Sequence, residues 1–124
     1  MVLAEEELEA VDVRGVGREI RHHALFAPAG TNVNFAHRTG EAEIALRTYE
    51  RGVEDETLAC GTGAVASALI GACWWGFASP VAVRTRGGEV LTVHFSRRDD
   101  RFSEVFLEGE TLWVYDAHSV DDVV

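Results

Sequence analysis

The chain has 124 residues, 47% of them hydrophobic, which is the size and composition of one globular domain with a single core. Its formal charge is −10, from 21 acidic against 11 basic residues, and a field of this sign argues against nucleic acid or an anionic membrane as a partner. Every basic residue is arginine, which excludes a Schiff-base lysine for pyridoxal phosphate and a phosphate-loop lysine within this chain.

Hydrophobic periodicity and turn residues predict two helices and six strands. Val13, Val16 and Ile20 recur at helical spacing directly after Asp12, which can cap the helix that they form. Alternating apolar residues bounded by glycine or polar loops indicate the strands. In chain order we expect a helix ending near residues 22–23, strands over 32–37 and 41–49, a loop over 50–59, a helix over 61–75, and strands over 81–86, 90–95, 103–108 and 111–115.

The second predicted helix is apolar on nearly every side, so we expect sheet to surround most of its surface. The apolar run over 64–77 is shorter than the ~20 residues that a membrane span needs, which favours a buried helix over a membrane anchor. The elements therefore predict an α+β fold in which a curled, barrel-like sheet, mixed or mostly antiparallel, wraps around one central apolar helix.

Cys60 stands where a thiolate is favoured, immediately before Gly61, Thr62 and the apolar helix. The first-turn N–H groups of a helix lack partners and carry partial positive charge, so they stabilise a thiolate and bind carboxylates. This segment therefore predicts both a proton acceptor and an anion site. Cys73 lies roughly 20 Å farther along the helix and is interpreted as a buried core residue. The histidines and cysteines show no spacing typical of a metal site, so none is predicted.

Residues 49–52 (YERG) followed by 56–64 (ETLACGTGA) closely resemble the second-cysteine signature of diaminopimelate epimerase, a racemase that works without pyridoxal phosphate. Residues 30–35 (GTNVNF) and 18–23 (REIRHH) are similar to the same family and keep its order. The loop over 52–57 is one residue longer here than in many members. The resemblance covers residues 14–64 by motif and the rest of the chain by pattern, and it implies the same curled fold.

The resemblance also implies a reaction without a cofactor, in which two opposed cysteines interconvert LL- and meso-diaminopimelate for lysine and peptidoglycan precursors. By this resemblance Cys60 is one of the two bases. Glu50 would receive the ammonium at the reacting centre, and Arg51 and Asn32 would grip the distal amino-acid group of the substrate. The amides of Gly61 and Thr62 would stabilise the developing carbanion.

The family builds its site between two similar domains that each give one cysteine, and this chain carries one such motif at about half the usual length. We therefore expect residues 1–124 to be a single domain, the carboxy-terminal half, whose partner is the missing amino-terminal domain. A face left uncovered by that partner makes a homodimer a further expectation. Two cysteines without a secretory leader predict a cytoplasmic protein.

Three other functions stay open at this level. Another cofactor-independent racemase of the same superfold, such as proline racemase, would use the same cysteine. A cysteine hydrolase would need a histidine held near Cys60 as its base. An isolated half with one base has no path for inversion, so the chain by itself is predicted to be an inactive, non-catalytic binding domain.

Overall fold

The computed structural model describes residues 1–4 and 7–120. Seven strands form one sheet, two α-helices pack on it, and short 3-10 turns lie at Leu8–Ala10 and Ala24–Phe26. In chain order the elements are β1 (Val2–Leu3), α1 (Val13–Arg21), β2 (Val33–Gly40), β3 (Glu43–Glu50), β4 (Asp55–Thr57), α2 (Gly61–Trp75), β5 (Val81–Arg84), β6 (Val90–Arg98) and β7 (Arg101–Glu108).

The sheet is mixed and has the strand order β1-β2-β3-β5-β6-β7. The pairs β1/β2 and β3/β5 are parallel, and the other pairs are antiparallel. Strand β2 pairs along β3, whose other edge is shared between β5, which pairs with its first residues, and β4, which pairs with its last. Helix α2 is the connection between parallel strands β3 and β5, as parallel pairing requires.

The two helices cover opposite faces of the central strands. Along β2, Val33 and Phe35 belong to one core cluster with Val13 of α1, whereas Ala36 belongs to the other, with Ala64 of α2. This alternation follows from the two-residue period of a strand. Asn34 therefore lies on the α2 face of the sheet, where the candidate site is found.

The prediction of a barrel-like sheet wrapped around a central helix is wrong, although the α+β class and the mixed sheet are confirmed. The sheet is open and not strongly curled, with β1 and β7 at its ends. Helix α2 buries only the face that carries Gly63, Ala64, Ser67, Ala68, Gly71 and Ala72. A helix sequence that is apolar on every side does not show how many of its sides the sheet covers. Cys73, predicted to be buried, is exposed on the outer face.

Most local predictions are confirmed. Helix α2 spans the predicted residues, and Asp12 caps α1 by accepting a hydrogen bond from the Gly15 N–H at 2.9 Å. The predicted strand over 111–115 is wrong, since these residues have no regular structure and Leu112 is 85% exposed. Strand β4 lies inside the predicted loop over 50–59 because its pairing depends on β3. Within the described residues no helix combines the length and apolarity that a membrane crossing requires.

A largely buried ion pair joins β3 to β4. The Arg47 guanidinium donates to both oxygens of the Glu56 carboxylate, at 2.6 and 2.8 Å, and its third nitrogen donates to the Leu8 carbonyl at 2.6 Å. The two side chains are only 11% and 12% exposed. This two-point contact ties the strand that leads to Cys60 to the centre of the sheet.

Acid is expected to weaken the domain through Glu56. The hydrogen bond from Arg47, and the charge of that guanidinium, hold the pKa of Glu56 below its ordinary value of 4.5. The contribution to stability is therefore complete above about pH 4.5 and is lost as the pH falls through the lower folded-state pKa. Urea unfolding at pH 7 and at pH 3 should show the chain and its Glu56→Gln variant converging in acid. Curves that stay equally far apart at both pH values would contradict this assignment.

Candidate functional site

Cys60 is the N-cap residue of α2. Its backbone is extended, with φ −141° and ψ 108°, and its carbonyl accepts the first helical hydrogen bond, from the Ala64 N–H. The side chain is 8% exposed, and its Sγ lies 3.5 Å from the Thr62 hydroxyl oxygen. The thiol is therefore held at the first turn of an apolar helix, where unpaired N–H groups point outward.

An open cavity of about 350 Å³ lies beside this turn. It is lined by residues from three segments that are far apart in the sequence: Gly30, Thr31, Asn32, Asn34, Arg51, Thr62, Gly63 and Ala66. The Cys60 side chain is not part of this lining but lies next to it, because Sγ would be 3.3 Å from a Cβ built on Gly63. Arg51 is the one charged side chain among the described lining residues, so the cavity favours an anion.

Asn32 and Arg51 lie together at the rim of the cavity. The Arg51 backbone N–H donates to the Asn32 side-chain oxygen at 2.8 Å, and the Arg51 guanidinium donates to the Ala29 carbonyl at 3.4 Å. These contacts join the loop before β2 to the loop after β3. Two of the residues named by the sequence motifs thus share one cavity with Thr62.

Glu50 and Gly61 are placed less directly. Glu50 ends β3 and is half-buried, but it is not among the described residues that line the cavity. Gly61 lines a neighbouring apolar groove with Thr62, Val65 and Leu107. The structure therefore brings Asn32, Arg51 and Thr62 to the cavity, with Cys60 against its wall, and leaves Glu50 and Gly61 at its margin.

The longer loop after β3 is braced by Arg21 of α1. Glu54 accepts hydrogen bonds from the Arg21 guanidinium at 2.7 and 3.0 Å and from the Gly52 N–H at 3.0 Å. The Gly52 N–H, followed by Arg21, lowers the pKa of Glu54. The contacts of Glu54 with Arg21 and Gly52 therefore hold the loop segment that follows Arg51.

Sequence reasoning missed two residues of this region. Asn34 lines the cavity and is 8% exposed, and the Arg21 guanidinium donates to Glu54 in the loop after β3. Arg21 lies in the motif over 18–23 and Asn34 in the motif over 30–35, so both motifs were visible in the sequence. No local pattern, however, shows which side chain of a motif faces the site. Their roles depend on contacts between residues far apart in the sequence.

The hydrolase interpretation finds no support in this geometry. Within residues 1–4 and 7–120 the hydrogen-bond partner of the Cys60 Sγ is Thr62, and no histidine lines the cavity. A thiol nucleophile needs a base within hydrogen-bond reach. The arrangement instead places the Cys60 thiol beside an open cavity with Arg51 in its lining, on an α+β domain.

Comparison with known proteins identifies the family. The family model for diaminopimelate epimerase matches residues 1–113, so the chain belongs to the diaminopimelate epimerase family, which confirms the resemblance of the motifs. It is 47% identical over 125 aligned residues to the diaminopimelate epimerase of Aquifex aeolicus, covering 99% of this chain and 43% of that protein. Diaminopimelate epimerases of Flavobacterium psychrophilum and Methanocella arvoryzae are 39% and 41% identical, over 90% and 93% of this chain.

These relatives are much longer than the chain. It spans 43% of the first two of the three named proteins and 39% of the third.

Proposed function

We propose that this chain is the carboxy-terminal half of a diaminopimelate epimerase and supplies one of its two catalytic bases, Cys60. Deprotonated Cys60 removes the α-proton from one face of the substrate, and an acid from the missing half returns a proton to the opposite face. In the reverse reaction the group of the other half removes the proton, and the Cys60 thiol returns one. Neither step uses a cofactor.

The observation that carries this proposal is that residues from separate motifs meet at one cavity beside Cys60. Asn32 and Arg51 suit the distal amino-acid group of diaminopimelate, because a planar guanidinium matches a carboxylate at two points. Glu50, at the margin, is assigned to the ammonium of the reacting centre. The first-turn amides of Gly61 and Thr62 are assigned to the carboxylate that shares the carbanion's charge.

The exposed apolar surface supports a missing partner. Leu107 and the outer face of α2 line a groove with almost no polar surface, and Phe106 is 63% exposed on edge strand β7. A contiguous apolar patch that is exposed on a domain often marks an interaction site. We assign this face to the amino-terminal domain, and in its absence a homodimer of this chain is expected to use the same face.

Isotope exchange tests the proposal. Deuterium from solvent should enter the α-carbon of diaminopimelate only when the chain is mixed with an amino-terminal half that bears the other cysteine. The chain alone should give no inversion, because one base cannot serve both faces of the α-carbon. Turnover by the pure chain would contradict the half-site assignment. A folded mixture of halves that gives no exchange would contradict the proposed function.

A further inference from the structure

Asn34 is a buried amide whose two sides have different surroundings. Its side-chain oxygen accepts a hydrogen bond from the Thr48 hydroxyl at 2.8 Å, across the β2/β3 pair in which these residues are direct partners. Among the described residues its N–H₂ group has no hydrogen-bond partner, and the residue is 8% exposed. Because the residue lines the cavity, the free donors have access to the cavity and are not sealed in the core.

The cross-strand bond alone does not explain an asparagine at this position. A hydroxyl side chain would serve Thr48 equally well, whereas the amide adds N–H donors that no described residue uses. The Thr48 hydroxyl fixes the oxygen side of the amide. The N–H₂ group is thereby left without a protein partner among the described residues.

Glycine at position 63 is what allows the amide to sit at the first turn of α2. A Cβ built there would lie 2.3 Å from the Asn34 side-chain oxygen and 3.3 Å from the Cys60 Sγ. Asn34 and the thiol therefore flank the same backbone unit of the helix. The Asn34 side chain is thus a neighbour of the thiol that is assigned to proton transfer.

We propose that Asn34 is a further substrate-binding residue, whose side-chain N–H₂ group binds the carboxylate attached to the reacting α-carbon. The adjacent first-turn amides of α2 favour an anion at this place. When the α-proton leaves, charge spreads onto that carboxylate, so a fixed donor there stabilises the carbanion as well. This inference rests on the proposed function for the identity of the substrate.

The response of the Asn34 signals to different ligands tests the inference on the chain by itself. Nuclear magnetic resonance of the ¹⁵N-labelled chain would follow the Asn34 side-chain N–H₂ signals during titration with diaminopimelate. Two matched ligands separate its groups: pimelate lacks the amines, and 1,5-diaminopentane lacks the carboxylates. Diaminopimelate and pimelate should shift the Asn34 signals, whereas the diamine should not. Signals that respond to none of the ligands, or equally to the diamine, would overturn the inference.

Variants test whether the donor itself matters. Asn34→Asp keeps an oxygen for Thr48 but removes the N–H donors, and it should weaken pimelate affinity at least about tenfold, read from the Gly63 backbone amide. Asn34→Ala is a second variant that removes every side-chain donor without burying a charge, and it should also weaken binding. Thr48→Ser keeps the hydroxyl and should leave affinity unchanged. Equal affinity in the Asn34 and Thr48 variants would show that Asn34 has only a structural role.

The outcomes separate this inference from the proposed function. Shifted Asn34 signals without isotope exchange in the mixed halves would support the carboxylate contact and contradict the epimerase assignment. Exchange in the mixed halves without any Asn34 response would support the epimerase assignment and contradict the carboxylate contact of Asn34.

Discussion

In a mixture of complementary halves, Cys60→Ala is expected to lower the rate of deuterium exchange with inversion at the α-carbon of diaminopimelate by about a thousandfold. The thiolate is the base assigned to one face of the substrate, and general-base catalysis by a positioned group contributes on this order. The cavity, Asn32 and Arg51 stay in place in the variant. Substrate affinity should therefore change much less than the exchange rate, and measurement of both quantities separates lost chemistry from lost binding.

The second cysteine provides the matched control. Cys73 is exposed on the outer face of α2, roughly 20 Å along the helix from Cys60, and is not among the described residues that line the cavity. Cys73→Ala should leave both exchange and affinity unchanged. Full exchange with inversion in the Cys60 variant would refute its role as a base. A loss of similar size in both variants would point to damage to the helix.

The largest effect on stability is expected from Arg47→Met. Removing the guanidinium leaves the buried Glu56 carboxylate with a distant contact to Arg86, 3.7 Å away, and takes one of two donors from the Leu8 carbonyl, which keeps the Val11 N–H at 3.2 Å. Breaking a buried pair from one side typically costs about 3–5 kcal/mol, because the remaining charge stays desolvated. Urea unfolding followed by tryptophan fluorescence would measure the loss. Arg47→Met combined with Glu56→Met should recover part of it, since neither charge is then buried alone.

An exposed ion pair of the same chain gives the comparison. Arg14 contacts Asp55 at 2.9 Å, but the side chains are 75% and 48% exposed. Arg14→Met should therefore cost less than about 1 kcal/mol. Similar losses in the Arg14 and Arg47 variants would show that burial does not determine the strength of these pairs. The Arg47 variant should also weaken the mixed-half activity, because Glu56 lies on the strand that leads to Cys60.

Family membership and local structure were both accessible from the sequence. Helix α2 spans the residues predicted for it, and its ends are set locally: Cys60 precedes Gly61 at the start, and Gly76 adopts the left-handed conformation at the end, with φ 70°. Such conformational preferences belong to the residue and its immediate neighbours. The cysteine motif was likewise a local pattern, specific enough to identify the family.

The tertiary structure alone decided how these elements share surfaces. Strand β4 exists because Asp55–Thr57 pairs with β3, and the segment over 111–115 is not a strand because no partner strand reaches it within the described residues. Hydrophobic pattern reports that a helix is apolar, but not which of its faces another element covers. The site shows the same division, since Cys60 was visible in the sequence, whereas the free amide of Asn34 follows from its contacts with Thr48 and Gly63. Contacts between residues distant in the chain leave no periodic signal, because each depends on the packing of the whole domain.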